Sequence, residues 1–498
     1  MALSHTLIFG LLWLQCLNIS DGKEFDSKRE PERIKIAVVG AGIGGTTAVH
    51  YLEQLFREDA LVNVYEPKIV GGRFSTVEIA GKDYESGASI FHPENQYLVN
   101  FTNVLGLKPK LRVPGTRLGL YDGQGFQFTQ SAWNFVTFGK MLWRYGMDLI
   151  HINRYIAQMI QKFSRIYQHQ ENGYAFTSVE KLLSAMSPEF VNQTKLTIRQ
   201  QLQRIGISNI FIDEVVTAAM QTNYGQDCKI HSFAGSVSLA GIQPGLWSVL
   251  GGNKLIPQKL LLASKANLRK AKVTKITKLS DSEHGNYKVI SHEVSGDVTE
   301  AVYDIVIIAA PQHASDIEWE EFSSSSPIPT IPFHRTIATF FWGEPNMSRF
   351  NCSSYEDFTE QILSTNPDLF FNSFARNYPV DYGKDGDKEY KDKVFKVFSN
   401  HLLSNKEKSD LMLSYKEQSV IDWLAYPEYS KLQEFMPPLV ITKNLYYVNA
   451  IEAAASAAEM LAIGGRNAAL LAYNSWYGLH DKIDKKFMSQ GTEGKSEL

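Results

Sequence analysis

Residues 34–45 read Ile34-Lys-Ile-Ala-Val-Val-Gly40-Ala-Gly42-Ile-Gly-Gly45, and this stretch decides the fold. The apolar run at residues 34–39 is typical of a strand buried on both faces of a parallel sheet. Apolar side chains then recur at helical spacing in residues 43–58, and residues 62–65 are again strand-like. The order strand, helix, strand predicts a βαβ unit of an α/β, Rossmann-like domain.

Three glycines form a Gly-x-Gly-x-x-Gly turn between the first strand and the helix. Gly40 allows the tight turn, Gly42 lets the backbone approach a diphosphate, and Gly45 lets the helix pack on the sheet. The N-terminus of the helix presents free N–H groups and a positive dipole to the phosphates. The turn therefore predicts a nucleotide site.

Glu66 ends the second strand, 21 residues after Gly45, where a carboxylate can accept hydrogen bonds from a ribose diol. An acid at this position argues against a 2′-phosphate. The alternative is a glycine-rich turn with a surface glutamate, but strand, turn, helix, strand and acid occurring together favour the nucleotide site. Up to this point both NAD and FAD fit.

The segment Val70-Gly71-Gly72-Arg73-Phe74 resembles the signature of the FAD-dependent amine oxidase superfamily. The resemblance implies that Gly71, Gly72 and Arg73 lie along the diphosphate of FAD, with Arg73 donating charge-assisted hydrogen bonds. A turn with an exposed arginine is the alternative.

The same resemblance implies further cofactor contacts. Gly87 and Ala88 would pass the isoalloxazine ring, because small residues permit close approach. Val273 would belong to the cofactor site. Glu452 would precede an alanine-rich helix whose N-terminal dipole faces the flavin.

Longer stretches resemble the prenylcysteine oxidase family across nearly the whole chain. They are Tyr84-Glu-Ser-Gly-Ala88, Arg144-Tyr-Gly146, Tyr174-Ala-Phe176, Ser178-Val-Glu-Lys-Leu-Leu183, Asn223-Tyr-Gly-Gln226, Leu246-Trp-Ser-Val249, Gly251-Gly-Asn-Lys-Leu255, Trp423-Leu-Ala-Tyr-Pro427, Ala454-Ala-Ser-Ala457 and Asn467-Ala-Ala-Leu-Leu-Ala-Tyr473. The resemblance implies an FAD thioether oxidase that uses O2 to cleave farnesyl- or geranylgeranyl-cysteine, left by degradation of prenylated proteins. The products are cysteine, a prenyl aldehyde and hydrogen peroxide.

This chemistry requires no side chain as a nucleophile, so the catalytic residues stay open. The carbon between sulfur and the prenyl double bond is activated by both neighbours, and the protein mainly binds and orients. His92 and Glu85 are the candidates for proton handling, each with a structural role as the alternative. A secreted amine oxidase, with Lys254 as the lysine near the flavin, and a non-catalytic flavin-binding paralogue are the competing functions.

Residues 133–168 carry aromatic and aliphatic side chains at helical spacing and predict one long amphipathic helix, or two joined near Gly146. These side chains could line a slot for a prenyl tail, pack as ordinary core, or face a membrane surface or lipoprotein. The pattern permits the last role without requiring it. The alanine-rich residues 448–471 are interrupted by Glu452, Glu459 and Arg466, which argues against a transmembrane helix.

The remaining pattern predicts strands at residues 272–276, 287–290, 304–310 and 446–448, and a helix at residues 453–473. We expect a discontinuous FAD-binding domain of residues 33–100, 230–315 and 440–476. Residues 101–229 would form a helical substrate or cap region, and residues 316–439 a substrate-binding domain. Residues 477–498 would be a polar tail.

The net charge of −3, from 50 basic and 53 acidic residues, gives no reason to expect a nucleic-acid partner. Residues 7–17 are apolar and predict a signal peptide of residues 1–22, and hence the secretory pathway. The resemblance to the prenylcysteine oxidase family implies the lysosome as the destination. The C-terminal Lys-Ser-Glu-Leu resembles an ER-retrieval signal, so secretion or ER retention stays open. Sequons predict glycosylation, and they begin at Asn100, Asn192, Asn346 and Asn351.

Outside the predicted signal the chain keeps two cysteines, Cys228 and Cys352, which could form one disulfide or remain thiols. No Cys-x-x-Cys or His-x-x-x-His spacing suggests a metal site.

Overall fold

The computed structural model describes residues 33–111, 116–279, 286–323, 326–355, 357–383, 392–430 and 436–487. The predicted signal peptide, the C-terminal Lys-Ser-Glu-Leu and most of the charged segment at residues 381–393 lie outside these ranges. The strands are β1 (Ile34–Val39), β2 (Ala60–Tyr65), β3 (Thr76–Ile79), β4 (Lys82–Glu85), β5 (Pro109–Leu111), β6 (Leu118–Tyr121), β7 (Phe126–Thr129), β8 (Trp247–Val249), β9 (Asn267–Arg269), β10 (Ala271–Lys278), β11 (Tyr287–Glu293), β12 (Val298–Tyr303), β13 (Ile305–Ile308), β14 (Glu318–Glu320), β15 (Phe333–Pro345), β16 (Gln361–Ser364), β17 (Ser373–Asn377), β18 (Val394–Ser399), β19 (Met412–Pro427), β20 (Val440–Thr442) and β21 (Leu445–Tyr447). The helices are α1 (Ile43–Phe56), α2 (Gln96–Val104), α3 (Asn134–Tyr145), α4 (Asp148–Phe163), α5 (Arg165–Glu171), α6 (Val179–Met186), α7 (Pro188–Gln193), α8 (Ile198–Arg204), α9 (Asn209–Phe211), α10 (Thr217–Tyr224), α11 (Ser232–Ala240), α12 (Leu255–Leu262), α13 (Gln312–Ser315), α14 (Asn405–Leu411) and α15 (Ala458–Trp476).

A six-stranded sheet, in the order β20-β21-β13-β1-β2-β9, forms the centre of the nucleotide-binding region. β1 pairs in parallel with β2 and β13, and β13 pairs in parallel with β21. Apart from Lys35, every residue of β1 is buried, as expected for a strand covered on both faces. The prediction of β1, α1 and β2 from the sequence is confirmed.

Helices α1 and α15 touch backbone to backbone beside this sheet. A Cβ added at Gly465 of α15 would lie 2.3 Å from the carbonyl oxygen of Gly44 in α1. Glycine at these positions therefore lets the two helices approach closely and fixes α1 against the sheet.

The alanine-rich helix was predicted to begin at residue 453, which is wrong because α15 begins at Ala458. A 3₁₀ turn at Val448–Ala453 precedes it. The backbone N–H of Ser456 donates to the Tyr429 hydroxyl at 2.6 Å, and the Ser456 hydroxyl donates to Glu452 at 2.7 Å. These contacts with other parts of the chain replace the helical bonds that alanine-rich composition would otherwise favour.

The predicted aromatic helix at residues 133–168 consists of three helices, α3, α4 and α5. The expected break falls at Gly146, whose φ is +57°, and a second break falls at Ser164. Tyr145, Ile152 and Ile156 are buried, as either core packing or a substrate wall would require.

A seven-stranded sheet, in the order β19-β15-β18-β17-β16-β6-β7, covers the nucleotide-binding region. One face has its own core, which includes Tyr121, Phe341 and Phe395. Ala338 and Phe340 on the other face pack on the β3–β4 hairpin. The sheet combines strands from the segments 101–229 and 316–439, and the domain boundaries themselves stay a prediction.

Candidate functional site

Two glycine turns meet at the carboxyl edge of β1. An isolated parallel bridge joins Gly42 to Gly71, and the Gly71 N–H donates to the Ala41 carbonyl at 2.9 Å. Gly40 has a φ of +106° and Gly71 a φ of +131°, conformations that L side chains rarely adopt. The structure thus brings together the two motifs that the sequence assigned to the diphosphate.

The glycines of the first turn differ in what surrounds them. A Cβ at Gly45 would lie 2.0 Å from the Gly40 carbonyl oxygen, so Gly45 is required for helix packing. At Gly42 the nearest described atom to an added Cβ is the Gly71 carbonyl oxygen, 3.9 Å away. Gly42 therefore leaves open space at the N-terminus of α1, where unpaired N–H groups favour an anion. A diphosphate fits this cradle.

Glu66 lies beside the cradle at the end of β2. Its carboxylate accepts the N–H groups of Ala41 at 3.1 Å and Lys68 at 2.9 Å. These bonds fix the carboxylate at the sheet edge, where its remaining lone pairs can accept bonds from a ribose. Val273 is buried in β10 and belongs to the same core as the residues of β2.

Arg73 and Glu452 form an ion pair that the sequence did not predict. Arg73 Nη1 lies 2.7 Å from Glu452 Oε2 and Nη2 lies 2.8 Å from Oε1, which is a bidentate arrangement. Arg73 also donates to the Ala425 carbonyl at 2.6 Å. The Arg73 side chain is 25% exposed and that of Glu452 is fully buried. Burial would raise the pKa of Glu452, but Arg73, with hydrogen bonds from Asn449 and Ser456, lowers it.

Aromatic rings surround this ion pair. The Tyr429 hydroxyl donates to the Glu452 carbonyl at 2.9 Å, and the Tyr224 ring lies 5.1 Å from the Tyr429 ring and 5.0 Å from Tyr426. Gln226 donates to the Pro427 carbonyl at 2.9 Å. Two of the stretches that carry the family resemblance, at residues 223–226 and 423–427, therefore contact each other.

The segment at Gly87 and Ala88, which is expected to pass the flavin ring, packs against the backbone of Arg73. A Cβ at Gly87 would lie 2.0 Å from the Arg73 carbonyl oxygen and 2.8 Å from the Trp423 ring. The Ala88 N–H donates to the same carbonyl at 3.2 Å. Gly87 thus holds the segment against Arg73, and Ala88 is part of the same contact.

Glu85, which is half-buried, and Lys396, which is buried, are two ionisable groups beside this segment. Glu85 Oε1 accepts the Asn253 N–H at 2.6 Å, whereas its buried Oε2 has no hydrogen-bond partner among the described residues. Lys396, 6% exposed, donates to the Glu85 backbone carbonyl at 3.1 Å and lies 4.3 Å from the Phe398 ring centre. Burial raises the pKa of Glu85 to about 7 and lowers that of Lys396 to about 8.

Sequence reasoning missed Lys396. The residue lies in β18, 311 positions after Glu85, and the available signal was a single lysine within the apolar run Val394–Ser399. Lys254, the lysine considered instead, donates to Asp83 at 2.8 Å and to Thr76 at 2.6 Å.

His92 is engaged in local structure through both ring nitrogens. Nε2 lies 3.0 Å from Gln243 Oε1, and Nδ1 accepts the Glu94 N–H at 3.1 Å. The His92 N–H donates to Asn95, which precedes α2. These contacts hold the chain at the start of the helix.

A cavity of about 230 Å³ opens near the ion pair and is lined in part by His313, Phe333 and Tyr447. Burial and then the charge of Arg73 lower the pKa of His313. The cavity therefore offers a partly aromatic opening toward the site.

Other predictions concern metals, thiols and membrane spans. Within the described ranges no group of His, Cys, Asp and Glu side chains is arranged to hold a metal, and no helix is long and apolar enough to cross a bilayer. Cys228 and Cys352 are free thiols. The Asn100, Asn192 and Asn351 residues are exposed, whereas Asn346 is half-buried.

A largely parallel sheet, a cradle formed by two glycine turns at its edge and a carboxylate after its second strand define a dinucleotide-binding oxidoreductase fold. In agreement, a family model described as an NAD(P)-binding Rossmann-like domain matches residues 38–104. The model of the prenylcysteine lyase family matches residues 128–485, and the chain belongs to this family.

Curated relatives support the assignment over nearly the full chain. Prenylcysteine oxidase 1 of Homo sapiens is 37% identical over 497 residues, covering 96% of each chain. Prenylcysteine oxidase 1-like of Homo sapiens is 36% identical, covering 91% of this chain and 92% of the relative. The two kinds of relative are thus equally similar to this chain.

Solved structures confirm the predicted fold class. A putrescine oxidase double mutant superposes with a TM-score of 0.56 at 15% identity, covering 88% of this chain and 99% of the other. Cyclohexylamine oxidase from Brevibacterium oxydans gives a TM-score of 0.55 at 15% identity, covering 90% of this chain and 100% of the other.

Proposed function

We propose that this protein is an FAD-dependent oxidase that cleaves the thioether of farnesyl- or geranylgeranyl-cysteine. One observation carries the proposal: the open cradle formed by Gly42 and Gly71 lies in a chain that belongs to the prenylcysteine lyase family. The thioether, O2 and water give cysteine, the prenyl aldehyde and hydrogen peroxide, which balances atoms and electrons.

The residues of the cradle hold the cofactor. The N–H groups at the start of α1 and the open face of Gly42 accommodate the diphosphate, and Glu66 accepts the ribose hydroxyls. Bound FAD supplies a two-electron acceptor that O2 can reoxidise. The Arg73–Glu452 pair ties the second glycine turn to the turn before α15.

The prenyl tail needs an apolar slot, and buried side chains of α3 and α4 supply one wall. Tyr145, Ile152 and Ile156 share a hydrophobic core with Phe128 of β7 and Tyr429. Because Tyr429 binds the backbone of Glu452, this core reaches the cofactor site. A prenyl chain bound against this core would point its thioether toward the flavin and keep water away from it.

We propose Glu85 and Lys396 as the groups that transfer protons. Adding water to the oxidised carbon and releasing the thiol both move a proton, and a carboxyl group with a pKa of about 7 can accept and return one. Lys396 faces the backbone of Glu85 from the covering sheet. We assign this pair to proton handling and His92 to local structure.

The stability of a Glu85→Gln variant is expected to depend less on pH than that of wild type. The raised pKa of Glu85 means that its ionisation penalises the folded state, so wild-type stability falls as pH rises from about 4.5 to about 7. The penalty is at most about 3 kcal/mol, and a neutral glutamine avoids it. Urea unfolding of the holoprotein at about pH 5 and about pH 7.5 measures the difference. Equal pH dependence in wild type, Glu85→Gln and the surface control Glu94→Gln would contradict the assignment.

Anaerobic mixing with farnesylcysteine tests the proposed activity. We expect the flavin absorbance to bleach with this substrate and to remain unchanged with its fully saturated analogue, which lacks the allylic double bond. Bleaching by putrescine but not by farnesylcysteine would establish the amine oxidase alternative. A holoprotein that neither substrate bleaches would be a non-catalytic flavin-binding paralogue.

We propose that the protein reaches the lysosome through the secretory pathway. The apolar residues 7–17 and three exposed sequon asparagines, Asn100, Asn192 and Asn351, support this route. The raised pKa of Glu85 also favours the folded state in an acidic compartment. A mass unchanged by peptide N-glycosidase after expression in animal cells would overturn the glycosylation prediction.

A further inference from the structure

Helix α3 and the start of α4 expose an apolar face to solvent. Trp143 is 93% exposed and Phe135 is 74% exposed, far more than core residues tolerate. The full face, called the α3 face below, consists of Trp133, Phe135, Phe138, Leu142, Trp143, Met147 and Ile150.

Helix α3 has two distinct sides, one that faces solvent and one that packs on the protein. Phe135, Phe138 and Leu142 recur three and four residues apart on the exposed side. Thr137 and Tyr145 are buried on the other side. One helix therefore packs on the protein with one side and presents large apolar side chains with the other.

The chain segment that carries the α3 face is rich in bases and poor in acids. Residues 123–170 contain a single acid, Asp148, which is buried and accepts the Ser208 N–H at 3.1 Å. The same stretch has five bases, which are Lys140, Arg144, Arg154, Lys162 and Arg165. Arg144 pairs with Glu214 and Lys162 pairs with Glu189, whereas Lys140 is exposed beside the apolar side chains.

We propose that the α3 face inserts into the headgroup region of an anionic phospholipid bilayer. Tryptophan and phenylalanine beside lysine are the composition of an interfacial amphipathic helix. With twelve residues, α3 is about 18 Å long, too short to span about 30 Å of hydrocarbon, so it lies in the plane of the interface.

A second copy of the chain fits the α3 face less well than a bilayer. A two-fold contact would place Lys140 of each copy against the same basic surface, with no exposed acid in residues 123–170 to compensate. Anionic headgroups supply the missing negative charge. The complementarity therefore selects a lipid surface.

The position of the face suggests a route for an oily substrate, and this step rests on the proposed function. Tyr145 and Ile152, on the inward side of the same helices, belong to the core that reaches Tyr429 beside Glu452. A prenyl chain dissolved in the bilayer would thus meet α3 before it meets the flavin.

Flotation of the holoprotein with vesicles tests the proposal. We expect wild type to float with phosphatidylcholine vesicles that contain phosphatidylserine and to bind pure phosphatidylcholine more weakly. A Phe138→Ser/Trp143→Ser variant should bind at least about tenfold more weakly, since two exposed aromatic side chains lose their apolar contact with lipid. Lys140→Glu should weaken binding to the anionic vesicles only.

A Leu262→Ser/Leu413→Ser variant is the matched control, because these side chains are 83% and 75% exposed but lie outside the α3 face. It should float like wild type, and all variants should keep their flavin. Wild type that floats with neither vesicle overturns the proposal. So does a wild-type dimer that Phe138→Ser/Trp143→Ser converts to a monomer, which would identify a second copy as the occupant.

Measuring farnesylcysteine oxidation in detergent and from vesicles distinguishes failure of this proposal from failure of the proposed function. If the aromatic variant oxidises farnesylcysteine normally in detergent but slowly from vesicles, the route through the bilayer holds. If neither protein oxidises farnesylcysteine while flotation follows the pattern above, the lipid surface stands and the proposed function fails.

Discussion

A Gly42→Val variant is expected to fold and to lose at least about 100-fold in FAD affinity. The Gly42 φ of −73° suits valine, and the nearest described atom to an added Cβ is 3.9 Å away, so the protein leaves room for a Cβ at this position. The diphosphate does not, because the valine would occupy the space in front of the α1 N-terminus. Flavin absorbance per protein after purification, and titration of the apoprotein with FAD, measure the loss.

Two other glycines act as controls for this variant. Gly125→Val adds the same side chain where no described atom lies within 4 Å of the new Cβ, and should retain full flavin. Gly45→Ala places a Cβ 2.0 Å from the Gly40 carbonyl oxygen and should reduce soluble, folded protein instead. Full flavin occupancy in Gly42→Val would show that the diphosphate lies elsewhere.

The nucleotide-binding turn could be predicted from the sequence because all its signals are local. A strand buried on both faces, apolar side chains at helical spacing and a glycine turn all lie within residues 34–65. Each of these signals predicts its own local structure. The Arg73–Glu452 pair could not be predicted in this way, since its partners are 379 residues apart. Lys396 was missed for the same reason.

The spacing of apolar residues left two features undetermined: where helix α15 begins, and which side of the helices after Trp133 faces solvent. The helix start at Ala458 depends on the bonds of Ser456 to Tyr429 and Glu452, which composition does not encode. Apolar spacing predicted the helices after Trp133 but did not show which side faces solvent. The sequence left substrate wall, core and membrane face open for these side chains, and Phe138 and Leu142 are 52% and 43% exposed.

An Arg73→Met variant is expected to lose about 3–5 kcal/mol of stability, because it leaves the carboxylate of Glu452 buried without its cation. Glu452→Gln should cost less, since the Arg73 side chain is partly exposed and can turn toward the diphosphate. The double variant should be more stable than Arg73→Met. Urea unfolding of the four proteins gives the coupling energy through a double-mutant cycle.

The pH dependence distinguishes loss of the ion pair from loss of packing. In wild type the pKa of Glu452 is lowered, so its contribution to stability is present above about pH 4.5 and is lost as pH falls through the lowered pKa. Without Arg73, burial and the remaining donors set the pKa, which rises, so the variant becomes less stable as pH increases. The difference between wild type and Arg73→Met should therefore be larger at about pH 7.5 than at about pH 5. A difference that is the same at both pH values would show that Arg73 stabilises the turn through the packing of its side chain, not through its charge.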